Sequence, residues 1–232
     1  MDMVITKEIG KHLENFCFFS DQDLQRIRDI ARYKKHKKGQ VLFDFGDSRD
    51  YAYILMSGIV RLERLDESAS FNYLHFIKEK CMFPLVGLFT DSTYYFSAVA
   101  HTEIEVIKIP ISIYEEILKY NNQQLCVCLT QQSEFLKEQI FKIQKGMVNN
   151  ADYRILTILS IIYKNLGEKQ YPNKIVTVPC PISVNDIAKA SGITRETTSL
   201  VLKKLIASKK IKYKHKELTF IDIKYFNNFL TQ

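Results

Sequence analysis

The sequence predicts an α+β protein in three parts: an antiparallel double sheet, a long helix and a small helical domain. Three patterns in the 232 residues support this division. Short strand-like runs bounded by turns fill residues 39–109, one long amphipathic run fills residues 123–147, and two short helical patterns flank a glycine within residues 182–206. We therefore expect a sheet domain at residues 1–120, a helix and hinge at 121–150, and a second domain at 151–232.

Composition and cysteine use limit the classes of protein that fit. The chain is 46% hydrophobic and 25% charged, as is usual for a globular protein. No apolar run reaches the roughly 18 to 20 residues of a spanning helix, and the N-terminus lacks a signal-peptide core, so we expect a cytoplasmic protein that does not bind membranes. The odd, scattered set of cysteines indicates reduced thiols rather than disulfides. These residues are Cys17, Cys81, Cys126, Cys128 and Cys180.

The first part begins with short helices in residues 1–31. Ser20 is positioned to cap a run in which Leu24, Ile27 and Ile30 have helical spacing. The basic residues at positions 32–38 predict a solvated turn before the first strand, although a second nucleic-acid patch would carry the same charge. Strands of a double sheet or barrel are then predicted by the runs QVLFDF, YAYILMSGIVRLERL and FNYLHFI and by residues 94–100 and 104–109.

The long helix carries a narrow apolar stripe. A short helix at residues 111–120 ends at two asparagines, and the long helix follows. Spacings of three and four residues place seven side chains along one line, as in a coiled-coil seam. These are Leu125, Leu129, Gln132, Leu136, Ile140, Ile143 and Met147. A stripe this narrow favours the interface of a homodimer over burial in a core.

Two short helices joined by a glycine turn occupy residues 182–206. Ser183 is positioned to cap the first helix, with Asp186 completing a capping box, and Thr194 is positioned to cap the second. One side of the second helix is apolar, with Leu202, Leu205 and Ile206. The opposite side carries Arg195, Glu196, Ser199 and Lys203. This pattern is typical of a helix-turn-helix that enters the DNA major groove; a helical hairpin on an ordinary surface is the alternative.

The segments around this motif are consistent with a winged domain. Residues 146–150 predict a hinge, residues 152–166 an amphipathic helix and residues 174–178 a strand. The alternating run IKYKHKELTF predicts a small hairpin, or wing, within residues 209–220. Residues 222–229 predict a final short helix.

The net positive charge of the chain comes entirely from its C-terminal part. Residues 1–150 carry 19 Lys/Arg against 20 Asp/Glu, a balance of −1, whereas residues 151–232 carry 14 against 6, a balance of +8. The second part therefore accounts for all of the net charge of +7. A basic domain beside a neutral one is expected of a protein that contacts the phosphates of double-stranded DNA.

In this order the segments strongly resemble the Crp/Fnr family of dimeric bacterial transcription regulators over almost the whole chain. Residues 38–62, with KGQVLF, GD, YIL and SGIVRL, resemble the opening strands of a cyclic-nucleotide-binding β-roll. GITRET, at residues 192–197, resembles the start of the family's recognition helix. Among its branches the chain looks most like the ArcR-type regulators. The resemblance implies an N-terminal β-roll (a double-stranded jelly roll), a long dimerisation helix and a C-terminal winged helix-turn-helix.

The resemblance also implies particular DNA contacts. Arg195 matches an arginine that donates to guanine, and Glu196 matches a glutamate that accepts from cytosine. Ser183 matches a phosphate contact, and Ser199 lies one turn along, within reach of a base or phosphate. The DNA-binding set is completed by Thr194, Thr197 and Lys203. The family commonly has another arginine where this chain has Leu200, which predicts relaxed selection at one base pair of a palindromic TGTGA/TCACA-like site.

The effector pocket departs from the family pattern. Four of its residues match: Gly87, Leu88, Phe89 and Ser97. However, Leu85 stands where the family has a ribose-binding glutamate, and Phe96 stands where it has a phosphate-binding arginine. A bound cyclic phosphate would then be a buried, unpaired charge, so we expect no cyclic AMP binding. The aromatic residues around these positions leave two possibilities open, an apolar ligand or a filled core.

Catalytic, metal and redox chemistries are disfavoured. Cys126 and Cys128 lie about 200° apart around a helix and cannot present their thiols to one iron–sulfur cluster. The histidines lack the grouping that a metal site requires, and no nucleophile–base pair is identifiable. We therefore predict a cofactor-free activator or repressor that binds DNA and works with RNA polymerase. The alternative is a sensor or protein-interaction module controlled by a ligand, such as a cyclic nucleotide, or by thiol oxidation.

Overall fold

The computed structural model describes residues 19–65, 72–171 and 175–231, which divide into two compact units. The first unit contains the described residues up to Leu62 together with Ile77–Leu136, and the second contains those of Glu63–Phe76 and Lys137–Gln232. The helices predicted before residue 19, and Cys17, lie outside the described residues. None of the described helices is long and apolar enough to cross a lipid bilayer.

A capped helix, α1 (Asp21–Ile30), precedes the sheets of the first unit. The Ser20 hydroxyl accepts a hydrogen bond from the Asp23 N–H at 3.1 Å, and the Asp23 carboxylate accepts one from the Ser20 N–H at 3.0 Å. This reciprocal pair satisfies two backbone donors that helix geometry leaves unpaired. The helix start predicted at Ser20 is confirmed.

In the described part of the chain, eight strands form two four-stranded sheets around this first unit. One sheet has the order β1-β8-β3-β6, and its strands are β1 (Arg32–His36), β8 (Ile104–Pro110), β3 (Tyr51–Ser57) and β6 (Cys81–Phe83). The other has the order β2-β7-β4-β5, and its strands are β2 (Val41–Phe43), β7 (Ser97–Ala100), β4 (Ile59–Leu65) and β5 (Asn72–Lys78). The outer parts of β4 and β5 belong to the second unit. The predicted double sheet is confirmed.

The prediction of a solvated turn at the basic cluster was wrong. Residues 32–36 form β1, which pairs with β8 from Arg32 opposite Lys108 to His36 opposite Ile104. Along this strand Tyr33 and His36 are partly buried, whereas the lysines between them are exposed. Because β1 is an edge strand with one neighbour, its cations stay hydrated, and they also discourage pairing with another chain.

Two helices complete the core of the first unit: α2 (Ile111–Tyr120) and the long helix α3 (Asn122–Gly146). Side chains from α1, the β1-containing sheet, α2 and the first turns of α3 form one buried cluster. It includes Ile27, Ile54, Ile107, Ile109, Tyr114, Ile117 and Cys128. Within it the Tyr114 hydroxyl lies 3.0 Å from the Cys128 sulfur.

In the second unit, the described residues after α3 form four helices and a small sheet, the kinds of element predicted for a winged domain. Its helices are α4 (Ala151–Leu166), α5 (Val184–Ser191), α6 (Arg195–Ala207) and α7 (Ile223–Thr231). A small sheet has the order β11-β12-β10-β9, formed by β9 (Glu168–Gln170), β10 (Ile175–Thr177), β11 (Ile211–Lys214) and β12 (Glu217–Phe220). The rings of Tyr163, Phe220 and Phe226 pack together, with Phe220 and Phe226 at 4.7 Å between centroids.

A buried carboxylate connects three elements of the second unit. One carboxylate oxygen of Glu138, on α3, lies 3.3 Å from Nδ1 of His75 on β5 and 3.4 Å from Nζ of Lys142. The other oxygen accepts a hydrogen bond from the Asn165 amide of α4 at 2.8 Å. Burial by itself would raise the pKa of Glu138, but the His75, Lys142 and Asn165 interactions together lower it to about 2. The carboxylate is therefore ionised at neutral pH.

A buried lysine fixes the last turn of α3 beside α4 and α7. Lys145 is only 6% exposed, and its ammonium lies 5.3 to 5.4 Å from the ring centres of Phe141, Tyr153 and Phe229. It also donates a hydrogen bond to the Tyr153 hydroxyl at 3.0 Å. Ring faces and a hydroxyl thus take the place of water around this cation.

Candidate nucleic-acid interface

The helix-turn-helix is formed by α5 and α6, and both helix starts are capped as the sequence predicts. The Ser183 hydroxyl accepts from the Asp186 N–H at 3.1 Å, and the Asp186 carboxylate accepts from the Ser183 N–H at 2.8 Å. At the second helix the Thr194 hydroxyl accepts from the Thr197 N–H at 3.2 Å. Both helices therefore begin at defined residues and direct their free N–H groups outward.

Gly192 determines the turn between the two helices. It ends α5 in the left-handed conformation, with φ +61°. A Cβ atom at this position would lie 2.6 Å from the Arg154 guanidinium of α4. The Arg154 guanidinium ends a flexible side chain and could move away, so the left-handed φ is the reason that glycine is favoured here.

The inner face of α6 anchors the helix to the domain. Thr198, Val201, Leu202 and Leu205 are buried, and the Thr198 hydroxyl donates to the Thr194 carbonyl at 2.8 Å. Ile206, which we expected on this apolar side, is 39% exposed. It lies about 100° further around the helix than Leu205, beyond the buried stripe, and Val201 fills the inner position instead.

The outer face of α6 presents the predicted DNA-binding side chains. Arg195, Glu196 and Lys203 are exposed, and Thr197 and Ser199 are partly exposed. Arg195 and Glu196 form no ion pair with each other or with another residue in the described ranges, so the surface ion pair that would explain them structurally is not formed. Their charged groups are held on a fixed helix and remain available to an external partner.

The hydroxyls at the two helix starts, unlike these charged groups, already form hydrogen bonds with other side chains. Ser183 donates its hydroxyl hydrogen to the Asp186 carboxylate at 2.7 Å, in addition to its capping role. Thr194 similarly bonds the Thr197 hydroxyl at 3.0 Å. A phosphate beside Ser183 would therefore meet the outward N–H groups of the α5 N-terminus more readily than the serine hydroxyl.

The wing adds cations that the predicted site did not include. Lys212, Lys214 and Lys216 are exposed on the β11–β12 hairpin, together with His215 at its tip. The Tyr213 hydroxyl donates to the Ile182 carbonyl at 2.8 Å and so ties the hairpin to the residue just before α5. The alternating lysines of the run IKYKHK were the signal that could have identified them.

In the first unit, the residues that match the family's effector pocket are largely occupied by internal contacts. Phe96 is 5% exposed, and Leu85 is partly buried with its carbonyl accepting from the Gln132 amide at 2.5 Å. The Ser97 hydroxyl accepts a hydrogen bond from the Phe45 N–H at 2.9 Å. Leu88 is partly buried, and Phe89 is 46% exposed.

The turn at Gly87 already donates a hydrogen bond to a carboxylate of the same protein. The Phe89 N–H donates to Glu115 of α2 at 2.9 Å, and the same carboxylate oxygen bonds Arg49 at 2.9 Å. A Cβ atom at Gly87, whose φ is +80°, would lie 2.5 Å from the Asp91 carboxylate. The turn is thus compact and its Phe89 donor is in use.

Buried aromatic rings of the first unit stack on one another. Phe43 and Tyr94 stack at 3.8 Å between centroids, and Tyr53 lies 5.5 Å from both Phe43 and Phe83. Burial raises the pKa of Tyr53 and of Tyr94 above their usual value. Of the two possibilities left open by the sequence, the burial of Phe83, Tyr94 and Phe96 favours a filled core.

The described cysteines do not form an acidic thiol pair. Burial raises the pKa of Cys81 to about 12, and it also raises that of Cys128, so both remain protonated at neutral pH. Cys126 is exposed on the opposite side of α3 from Cys128. Within the described ranges, no group of three or more His, Cys, Asp or Glu residues is arranged to hold a metal.

The stripe on α3 has two environments. Leu125 packs against the core of the first unit, and Gln132 is partly buried by its bond to Leu85. The remaining members are between 55 and 80% exposed; they are Leu129, Leu136, Ile140, Ile143 and Met147. Five large apolar side chains in one exposed line are unusual on a monomer surface.

Known proteins match both halves of the chain. Residues 33–121 match the model of the cyclic nucleotide-binding domain family. The global nitrogen regulator of Nostoc sp. is 26% identical over 185 residues, which cover 79% of this chain and 82% of the relative. The regulator ArcR of Staphylococcus haemolyticus is 25% identical over 202 residues, covering 87% of each chain, in agreement with the predicted ArcR likeness.

Solved structures share the fold over most of their length. FixK2 from Bradyrhizobium japonicum superposes with a TM-score of 0.72 at 18% identity, covering 86% of this chain and 97% of FixK2. A CRP/FNR-family transcriptional regulator from Thermus thermophilus gives a TM-score of 0.62 at 20% identity, covering 87% and 99%. The curated relatives regulate transcription and are not enzymes, as expected for this chain. The matched domain, these relatives and the shared fold together support the resemblance of the chain to transcription regulators of the Crp/Fnr family.

Proposed function

We propose that the protein binds a palindromic TGTGA/TCACA-like site as a homodimer and reads its bases with Arg195 and Glu196. The observation that supports this most is the exposure of two opposite charges, unpaired within the described ranges, at the start of a helix whose other face is anchored. A guanidinium can donate two hydrogen bonds to guanine O6 and N7, and a carboxylate can accept from cytosine N4. Both groups stand at the end of α6 that would enter a major groove first.

Phosphate contacts hold α6 in register. The N-termini of α5, at Ser183, and of α6, at Thr194, offer outward N–H groups to phosphate oxygens. Thr197, Ser199 and Lys203 border the base-reading residues, and the wing lysines extend the positive surface. These contacts supply affinity rather than sequence preference, and they make binding sensitive to salt.

The dimer forms along the exposed stripe of α3. Pairing this helix with a second copy of itself covers Leu129, Leu136, Ile140, Ile143 and Met147, which no described residue of the same chain covers. A dimer with two-fold symmetry about this stripe presents one recognition helix from each copy. A palindrome with half-sites about 34 Å apart has the same symmetry.

Leu136→Glu tests this dimer. A carboxylate in the seam would be buried against an apolar partner, so the variant is expected to be monomeric in sedimentation analysis and to lose binding to the palindrome. Ser133→Glu places the same charge at an exposed polar position on the same helix and should remain dimeric. A dimeric Leu136→Glu protein would contradict the proposed seam.

Effector control in this proposal does not use cyclic AMP. The Phe96 ring is buried where the family's arginine would meet the phosphate, and Ser97 and the Phe89 N–H are engaged elsewhere. The protein either responds to a different effector or has none. Thiol oxidation is the second candidate for control, and the protonated Cys81 and Cys128 are poor sites for it. The output is activation or repression of RNA polymerase at promoters in the cytoplasm.

Gel-shift titration of the full-length protein tests the DNA proposal. The palindromic TGTGA/TCACA duplex should bind at least about 10³-fold more tightly than a scrambled duplex of equal length. The logarithm of the affinity should fall linearly and steeply with the logarithm of salt concentration. Equal affinity for both duplexes would show that the site has been wrongly assigned, even if the salt dependence is steep.

A further inference from the structure

Leu200 stands out on the recognition helix because it is apolar and 58% exposed. The other leucines of α6, Leu202 and Leu205, are buried against the domain. Leu200 follows Glu196 by four residues and precedes Lys203 by three, so all three share the outer face. A single exposed leucine is common on an ordinary surface, but this one lies between groups that face DNA.

Only one chemical group on the floor of the major groove matches this side chain. Thymine carries a C5 methyl group there, whereas guanine, adenine and cytosine present donors and acceptors that leucine cannot satisfy. Leucine against one of those polar edges would displace water without replacing its hydrogen bonds. Against a thymine methyl, both surfaces are removed from water, which is favourable.

We propose that Leu200 is a specificity-determining residue that selects thymine by contact with its methyl group. The proposal rests on the proposed DNA-binding function and replaces the relaxed selection that the missing arginine predicts. Four residues of α6 span roughly 6 Å, so the thymine lies within about two base pairs of the one read by Glu196.

Substitution of deoxyuridine for thymine tests the contact, because it removes only the methyl group. Full-length protein is titrated against duplexes of the TGTGA/TCACA type, selected for tight binding, in which each thymine is replaced in turn in both half-sites. One position near the Glu196 base pair should weaken wild-type binding by about fourfold per half-site, the value of one buried methyl group. Leu200→Ala should bind the thymine and deoxyuridine duplexes equally at that position.

Two further variants make the test specific. Lys203→Ala shares the outer face, and it should lower affinity for every duplex while keeping the deoxyuridine effect. Leu200→Arg provides a bidentate donor and should shift the preference at that same position from thymine to guanine. Leu200 is exposed, so both of its substitutions should leave the fold intact, as judged by circular dichroism and dimer mass.

The outcomes separate this proposal from the DNA-binding function itself. If no deoxyuridine substitution matters while the palindrome is still preferred, Leu200 does not read thymine and the proposed function stands. If Leu200→Ala keeps the deoxyuridine effect, another residue contacts the methyl group and the proposal is overturned. If the wild-type protein prefers no sequence at all, both this proposal and the proposed function fail.

Discussion

The two regions that family resemblance marks as binding sites differ in what their side chains already contact. On α6, Arg195 and Glu196 are exposed and unpaired within the described structure. In the β-roll, Phe96 is buried, Ser97 bonds the Phe45 N–H, and the Phe89 N–H bonds Glu115. One region holds polar groups ready for an external partner, while the other satisfies its groups internally. Resemblance to one family therefore supports a shared output without implying a shared effector.

The largest expected effect comes from restoring the family's cation to the β-roll. Phe96→Arg should lower the free energy of unfolding by about 4 kcal/mol, because it removes a buried ring and inserts a charge with no carboxylate at the Leu85 position. Urea denaturation of the full-length protein measures this. Tyr95→Arg, at the 48% exposed neighbour, is the matched control and should change stability by no more than about 0.5 kcal/mol.

Equal stability of the two arginine variants, combined with cyclic AMP binding by Phe96→Arg, would contradict a filled core in the β-roll. It would mean that the β-roll contains an open nucleotide site lacking only its arginine, rather than a filled core.

In the second unit, by contrast, a buried charge is already paired with other side chains. Glu138→Gln should cost about 3 kcal/mol of stability at pH 7, since it leaves Lys142 buried without its carboxylate. In the wild type, interactions in the fold lower the pKa of Glu138 to about 2 from its usual value of 4.5. Its stabilising contribution is therefore present above about pH 4.5 and is lost as the pH falls towards 2.

Denaturation at pH 7 and pH 3 measures the Glu138 contribution. The wild type should lose more stability between these two pH values than Glu138→Gln does. Glu116→Gln removes an exposed ion pair with Arg26 and should show the wild-type pH dependence. An identical pH dependence in Glu138→Gln and wild type would contradict the role given to this carboxylate.

A smaller effect is expected when a group of α6 that we propose to read a base is removed. Arg195→Ala should weaken binding to the palindrome by about 1 to 3 kcal/mol and relax the preference at one G·C pair in each half-site. Fluorescence anisotropy with duplexes altered at single positions measures both. Arg26→Ala removes an exposed cation from the first unit and should leave the affinity unchanged. A uniform loss across all sequences would indicate that Arg195 contacts only phosphate.

The smallest effect is expected from cyclic AMP. At about 1 mM it should not raise the melting temperature, because a ligand at 100 times its Kd would add about 2.7 kcal/mol of stability and be readily detected. A rise of several degrees would show that the aromatic region opens to admit the nucleotide.

Sequence patterns predicted the helix-turn-helix well because its signals are local. Capping residues at Ser183 and Thr194, the glycine turn and helical spacing each act within a few residues, and the structure has them as expected. The wing hairpin followed from alternation within one short run.

The errors and omissions arose where distant residues decide the structure. The basic residues of β1 form a strand because β8 pairs with them from some seventy positions away in the sequence, and nothing local predicts this. Likewise, Glu115 accepts a hydrogen bond from the turn that follows Gly87, although it lies on a later helix. Glu138 contacts His75 and Asn165, which belong to two separate elements. Such contacts determine whether a pocket is open or occupied.

Selection of binding sites from a random DNA library tests the central claim most directly, that the DNA-facing groups are ready while the cyclic-phosphate site is absent. The full-length protein is used with and without cyclic AMP at about 1 mM. A palindromic TGTGA/TCACA-like sequence is expected to be enriched equally in both selections. Enrichment of that palindrome only with cyclic AMP, or of no palindrome in either selection, would contradict the account.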